Sequence, residues 1–530
     1  MALPSEVEVL VVGSGNAGFA AALSAAQSGA RSVLLIDKCP EDWAGGNTYF
    51  TAGAYRIAHG GLADLLPIVN NVTSEQAAKI ELAPYSEADF ANDMTKVCMG
   101  RSDPELSRTL ISDSNSAIKW LAKNGIRFQL SFNRQAYEVD GKIKFWGGLH
   151  IKTQDGGKGL IADYQAAAKR HGIQVSWSTA LTGLQLDPTS GNMVAAVRVD
   201  GTETSLRAGA IVLAAGGFEA NPRMRSEFLG PGWDMAMVRG TPYNTGDCLE
   251  LAIRELDASP VGNWSGCHSV AWDANASANT GDREASNEYT KSGYPLGLML
   301  NVDGQRFVDE GVDMRNYTYA MFGRAILAQP EHTAFQVWDA TATPWLRPEE
   351  YRAERVEHIT ADSLEELAHK CASRGGLRDP AAFVQTIHEY NEAVYAHRRE
   401  NPNLKWDPAV KDGLSTQSRS RKLALAKSNW ALPLDKGPYL AVRVTCGVTF
   451  TFGGLRVDPH SAQLLRASTG RPVPNVFCAG EMLGGLFYNN YPGGSGLTAG
   501  AVFGRRAGKA AAEAVRSRRP ELSPSLASKL

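Results

Sequence analysis

The run Gly13-Ser14-Gly15-Asn16-Ala17-Gly18 constrains this chain more than any other feature. It stands between a short apolar stretch of β-branched character, Glu8–Val12, and an Ala-rich stretch of helical character, Asn16–Ser28; Ser32–Asp37 then repeats the strand pattern. One βαβ unit is predicted. Gly13 permits a tight turn, Gly15 lets backbone approach a pyrophosphate at a helix N-terminus, and Gly18 lets the helix pack closely on the strand. Asp37, nineteen residues after Gly18, stands where a carboxylate accepts hydrogen bonds from a ribose. An ordinary glycine-rich turn would lack that combination of strand, helix and acid.

A second nucleotide-domain signal lies in the middle of the chain. Strands are predicted around Gln174–Trp177 and Met193–Val199, then a buried strand Ala210-Ile211-Val212-Leu213-Ala214 closes on Ala215-Gly216-Gly217. Far downstream, Asn475-Val476-Phe477-Cys478-Ala479-Gly480-Glu481 reads as another buried strand ending in glycine and an acid. These pieces are expected in one sheet. Between them, polar loops and helices such as Ser363–Arg374 and Pro380–His397 replace the glycine signals, which predicts an inserted cap. The expected division is 1–262 and 446–530 for the nucleotide domain and 263–445 for the cap, with the active site at their junction.

Charge narrows the function classes. Lys and Arg total 54 against 56 Asp and Glu, a net of −2, so no long-range field draws the chain to nucleic acid or acidic lipid. The seven cysteines show no CxxC or CxxCH spacing for zinc, an iron–sulfur cluster or haem, and no metal site is expected. Their odd number and irregular spacing fit reduced thiols. No apolar run reaches membrane-spanning length. Ser528-Lys529-Leu530 matches the tripeptide read by the peroxisomal import receptor, which predicts a peroxisomal address.

Gly45-Gly46-Asn47-Thr48, Ala214–Gly217, Asn244-Thr245-Gly246-Asp247, the stretch Gly304–Glu310 and Tyr491-Pro492-Gly493-Gly494 follow one another in a telling order. Over nearly the whole chain, that order resembles the FAD-binding subunits of fumarate reductase and succinate dehydrogenase, together with 3-ketosteroid dehydrogenases. Tricarballylate dehydrogenases are the nearest likeness in that group. The resemblance implies an α/β fold, a Rossmann-like FAD-binding domain of the GR2 type with an inserted α+β capping domain. It assigns Gly13, Gly15, Asn16, Ala17, Gly18, Asp37 and Lys38 to the ADP half of FAD, and Gly45, Gly46, Asn47 and Thr48 to the flavin. Further cofactor contacts are implied at Ala180, Ala214, Ala215, Gly216, Gly217, Asn244, Thr245, Asp247 and Gly480, with Glu481 at the ribityl chain. Ser495, Gly496, Leu497 and Thr498 would open a helix whose N-terminus faces the flavin pyrimidine. Covalent attachment in the family uses a histidine in the loop after the second strand; Asn47-Thr48-Tyr49-Phe50 stand there, so noncovalent FAD is expected.

Removing hydrogens from adjacent carbons needs a hydride acceptor at one and a base at the other, and flavin supplies only the first. The resemblance places Arg315 near the family's proton-shuttling arginine, although a surface arginine paired with Asp313 or Glu310 would look the same; either Arg315 or Tyr491 is expected to take the proton. His268 falls where the family binds a substrate carboxylate, or is a satisfied core histidine. The departures weigh as much. Thr449-Phe450-Thr451-Phe452 stands where many fumarate reductases have a histidine, and Tyr491 replaces their second substrate arginine. Tyr491-Pro492-Gly493-Gly494 resembles instead the 3-ketosteroid dehydrogenases, in which the tyrosine and a following glycine amide polarise a carbonyl; Gly494 is the matching glycine. The family's acid–arginine relay is not recognisable, though Glu288 and Lys291 lie nearby, and Tyr488, Tyr317 and Tyr319 are secondary candidates. The expected reaction is desaturation of a C–C bond beside a carboxylate or carbonyl of a small molecule, with oxygen or an acceptor protein taking the electrons. The rivals are an alkene reductase running the same site backwards and a catalytically silent FAD-binding protein that docks a partner.

Overall fold

The computed structural model describes residues 3–139, 141–145, 147–314, 318–408 and 410–519. Arg315, Tyr317 and the terminal Ser528-Lys529-Leu530 lie outside the described residues.

Glu6–Val12 forms the first strand, Asn16–Gln27 the helix and Val33–Ile36 the second strand of the predicted βαβ unit. The first strand runs parallel to the second, Val9 opposite Val33, and on its other edge parallel to Thr202–Leu213, Val9 opposite Ala210. Gln174–Ser176 extends the sheet beyond the second strand. Thr202–Leu213 serves two partners along one edge. Its first half pairs antiparallel with Met193–Val199, and its last three residues pair parallel with Val476–Cys478. All the strands read as one sheet therefore share one, and the fold is the expected α/β class with an FAD-type nucleotide domain.

The C-terminal helix Ser495–Arg516 lies on the helix Asn16–Gln27 through glycine and alanine faces. A Cβ at Gly504 would sit 2.5 Å from Ala17 O, and one at Gly508 2.0 Å from Ala21 O, so both positions require a bare backbone. The approach locks the glycine-rich loop and the later helix start into one body.

The inserted segment contains more sheet than its polar sequence suggested. Pro260–Asp273 and Tyr439–Leu455 run antiparallel as two long strands, joined by Leu298–Asn301, Ala334–Trp338 and Ile359–Ala361 in a mixed sheet. The long pair has register shifts between Asn263 and Cys267 and between His268 and Ser269. Helices Leu364–Gly375 and Pro380–Glu400, capped by Ser363 and Asp379, bury Leu367, Phe383 and Tyr390 beside Phe335 of this sheet. Both helices match the predicted ones within a few residues. Ala320 and Leu327 join the large nucleotide-side apolar cluster, so the insertion is seated on that core.

Residues 54–153, for which the sequence indicated no elements, form two small three-stranded sheets and the helices Glu87–Val97 and Pro104–Lys123. Among the described residues no helix is long and apolar enough to cross a membrane, and no cluster of side chains is suited to a metal ion.

Candidate active site

One cavity of about 280 Å³ runs from the glycine-rich loop to the seam between the nucleotide domain and the insertion. At its first end Gly13 has φ +107° and passes Ala214 so closely that a Cβ would lie 2.3 Å from the Ala214 carbonyl oxygen. Gly18 is tighter, with its would-be Cβ 1.8 Å from Gly13 O. Gly15 differs: nothing comes nearer to its Cβ position than Thr48 Oγ1 at 3.6 Å. Two glycines close the packing and the third leaves a groove before a helix N-terminus, which fits a pyrophosphate.

Asp37 lines this end, but its Oδ2 already accepts from Ser14 N and Ser14 Oγ, both at 2.7 Å. The carboxylate thus braces the loop as well as facing the groove. Lys38 ion-pairs with Asp247 and donates to Thr245, closing this end of the cavity, where Ala180 also lines the wall. The Asn16 side chain is spent on structure: Oδ1 accepts from Tyr55 and Tyr164 at 2.8 Å each, and Nδ2 donates to Leu497 O at 2.8 Å.

Further along, Gly46, Asn47, Thr48, Ala214, Ala215, Gly216, Asn244, Gly480, Glu481, Gly496 and Leu497 line the cavity, as does Ala17. Gly18, Gly45, Gly217, Ser495 and Thr498 do not. They stand behind the wall and set its shape: a Cβ at Gly45 would strike Ile161, and one at Gly217 would come within 2.1 Å of Glu481 Oε1. Ser495 Oγ donates to Pro492 O and Thr498 Oγ1 to Arg56 O.

Beside this stretch lies a buried acid pair the sequence did not reveal. Glu219 accepts from Asn47 Nδ2 and, at 2.6 Å, from Asn244 Nδ2, while Glu481 accepts from Thr451 N at 2.7 Å. Burial pushes both carboxyls above the usual range, and the charge of Glu481 raises Glu219 further. A raised folded-state pKa means that the folded protein holds more protons than the unfolded chain above the ordinary carboxylate pKa, so stability falls as pH rises toward neutrality. The apo-protein is expected to lose unfolding free energy between about pH 5 and 7. Glu219→Gln should flatten that slope in denaturant titrations; an identical slope would remove the pair as its cause.

The far end is aromatic. His268 sits on the strand Pro260–Asp273 opposite Phe450, with Tyr319 and Tyr491 each 5.0 Å from its ring and Phe450 at 5.5 Å. Neither His268 ring nitrogen has a hydrogen-bond partner among the described residues, although the side chain is buried and lines the cavity. Burial, then the charge of Arg239, lowers its pKa well below the ordinary value, so it offers a hydrogen bond and no charge. Tyr491 OH lies 2.7 Å from Tyr319 OH, and burial followed by Tyr319 raises the Tyr491 phenol well above its usual value. The Tyr491 phenol is therefore neutral at physiological pH. Gly494, at φ +84°, also lines the cavity, and a Cβ there would strike Leu149. Arg56, wholly buried, holds the same turn by donating Nε to Gly493 O at 2.9 Å.

Sequence reasoning missed Glu219, Arg239 and the polar arm beyond them, Asn287, Thr290, Ser292, Arg347 and Glu350. Of these only Glu219 had a cue, since it directly follows the Ala215-Gly216-Gly217-Phe218 turn. Glu288 and Lys291, noted earlier, do not line the cavity; Lys291 Nζ sits 3.6 Å from Asp273 Oδ2 in a buried pair.

The FAD binding domain family model matches residues 8–497. An NADH:fumarate oxidoreductase of Klebsiella pneumoniae is 27% identical over 97% of this chain, which spans 48% of that protein's length. A 4-oxocyclohex-2-ene-1-carboxylate 5-dehydrogenase of Sinomonas cyclohexanicum is 26% identical over 95% of this chain and 93% of its own. Among solved structures, an open flavocytochrome c3 fumarate reductase superposes with TM-score 0.71 at 24% identity, covering 96% of this chain and 79% of its own. A 3-ketosteroid Δ1-dehydrogenase of Sterolibacterium denitrificans gives 0.70 at 20% identity, covering 96% and 100%.

Proposed function

The chain belongs to the FAD binding domain family, within the fumarate reductase and succinate dehydrogenase group of oxidoreductase flavoproteins, and from that membership we propose that it desaturates a carbon–carbon bond beside a ring carbonyl. The observation that carries this reading is the hydrogen-bonded Tyr319–Tyr491 pair, which lines the cavity together with Gly494, Phe450, Phe452 and Phe487. A fumarate-type site would need charge at Tyr491; a neutral phenol suits a neutral oxygen. The relative from Sinomonas supports it, since its name specifies a six-membered ring bearing a ketone.

Bound FAD supplies the two-electron acceptor at one substrate carbon. Tyr491 donates a hydrogen bond to the carbonyl oxygen, which stabilises the enolate-like charge formed when the neighbouring carbon loses its proton. Tyr319 orients that phenol. His268 gives a second hydrogen bond without adding charge. Arg315, by the family resemblance, takes the proton; a phenol whose pKa is raised by burial is a poor standing base but a sound donor. The aromatic walls exclude water and hold a flat ring.

Anaerobic mixing with a panel of ketones and dicarboxylates tests the reading. Saturated cyclohexanones are expected to bleach the oxidised flavin, while succinate leaves it yellow. Bleaching by succinate alone would overturn the carbonyl reading. The reductase names among the relatives favour the reverse direction as a second reading, and reoxidation of dithionite-reduced enzyme by cyclohexenones, without bleaching by the saturated ketones, would select it.

FAD is held without a covalent bond in this proposal, because Asn47 and Thr48 occupy the loop where a linking histidine would stand and Asn47 is engaged by Glu219 and Thr241. Denaturation should release all flavin as FAD; colour remaining in the precipitated polypeptide would refute it.

A further inference from the structure

Arg56 brings a buried positive charge to the back of the Tyr491-Pro492-Gly493-Gly494 turn. Its Nε donates to Gly493 O at 2.9 Å, and its Nη1 donates to Asp93 Oδ2 at 2.6 Å and to the Tyr85 hydroxyl at 2.8 Å. Tyr85 in turn donates to Asp93 Oδ2 at 2.7 Å. The planar fork is thereby fixed, with its counter-charge on the helix Glu87–Val97 and a backbone carbonyl at Nε. Gly148 packs so tightly over it that a Cβ there would lie 2.4 Å from Nη1. The main chain of Arg56 is tied to the same region: its N–H donates to Gly494 O at 3.4 Å and its carbonyl accepts from Thr498 Oγ1 at 2.7 Å.

The carbonyl that Arg56 binds belongs to the same peptide unit as the Gly494 N–H. In a trans peptide the two point in opposite directions, so this N–H is turned away from the guanidinium, and no acceptor for it is found among the described residues. Gly494 lines the cavity, and the peptide lies against the phenol pair, since a Cβ at Gly493 would sit 3.1 Å from the Tyr319 hydroxyl oxygen. A charged donor on a carbonyl oxygen polarises the amide and makes its N–H a stronger donor. We infer that Arg56 is a positioning residue: it aims the Gly494 N–H at the substrate carbonyl oxygen beside Tyr491 and strengthens that donor through the Gly493 carbonyl. The inference rests on the carbonyl reading of the site. It gives the developing enolate two donors, a phenol and a charge-backed amide, while the cation itself stays off the substrate. The charge reaches the chamber, because burial raises the Tyr491 phenol and the charges of Arg239 and Arg56 pull the other way.

The probe is 4-nitrophenol, a flat ring that cannot be desaturated and whose hydroxyl ionises near neutrality, so that its phenolate stands in for the enolate. It is titrated into oxidised holoenzyme, and the ionised share of the bound ligand is read from the phenolate absorption. Wild type is expected to favour phenolate over phenol by about 100-fold relative to solution, the scale of two hydrogen bonds to a charged group. Arg56→Gln keeps a neutral donor near Gly493 O and removes the charge. It should lower that preference about 10-fold, leaving the share of Tyr491, while the neutral phenol binds within about threefold of wild type. The pair Arg56→Gln and Asp93→Asn together, which strands no carboxylate, should behave alike, and Arg56→Lys should keep part of the preference. Solution-like ionisation in wild type would overturn the inference, as would an undiminished preference in Arg56→Gln. Equal weakening of phenol and phenolate would overturn it too, leaving Arg56 a scaffold only. Should both charge-free proteins lose FAD, Arg56→Lys decides, and complete loss of the preference there would count against the inference. Cyclohexanones that leave the flavin yellow would strike the proposed reaction and leave the bound phenol's ionisation standing.

Discussion

Tyr491→Phe is expected to lower kcat by about 10²- to 10⁴-fold with stoichiometric FAD retained, the range lost when a positioned proton donor is removed. Its hydroxyl is 2.7 Å from Tyr319 OH, and its ring packs 4.9 Å from Phe450 and 5.6 Å from Phe487. Phenylalanine keeps that packing and deletes only the oxygen, so the chamber keeps its shape. KM should change little if the phenol acts mainly on the developing enolate. Tyr319→Phe, one oxygen further from substrate, should cost less. Arg315→Ala should also abolish most turnover while FAD remains bound. A Tyr491→Phe enzyme within about threefold of wild type would remove the tyrosine pair from the chemistry.

Gly18→Ala should yield little or no folded, FAD-containing protein. The added carbon would lie 1.8 Å from the Gly13 carbonyl oxygen, and both groups are backbone held by the same βαβ turn. No rotamer relieves that contact, so the helix must lift from the strand and carry the groove with it. Gly15 supplies the control. Its neighbours begin at 3.6 Å, so Gly15→Ala should fold, whereas Gly15→Trp should fold without FAD because an indole fills the groove. The FAD-to-protein absorbance ratio reads all three. Normal FAD in Gly18→Ala would show that the loop is more yielding than its contacts indicate.

The nucleotide end was legible because its constraints are local. Glycines, an acid and strand patterns lie within forty residues, and each glycine has a distinct steric reason. The far end is assembled from remote stretches: His268, Tyr319, Phe450 and Tyr491 meet only after strands pair and the insertion seats. His268 and Tyr491 were found through resemblance, not periodicity. Arg239 was missed because nothing in Val238-Arg239-Gly240 marks an arginine as buried; its environment comes from Val448 and Thr449, some two hundred residues away. The sheet of the α+β cap came from the resemblance, and its strands were not placed one by one for a related reason. Its shorter strands are brief apolar runs that become a sheet only through remote pairing, Ala334–Trp338 and Ile359–Ala361 on the long strand Tyr439–Leu455 and Leu298–Asn301 on Ala334–Trp338.

The irregular pairing of Pro260–Asp273 with Tyr439–Leu455 has a mechanical side. A break in register bends a strand, sharpens its twist and re-aims the side chains at the break. The two breaks flank Cys267 and His268, so the bent stretch of the long strand pair coincides with a cavity-lining side chain. A regular ladder would hold residue 268 to the strict in-and-out alternation of its neighbours; the breaks release His268 from that alternation and set the direction of its imidazole independently of the strand on either side.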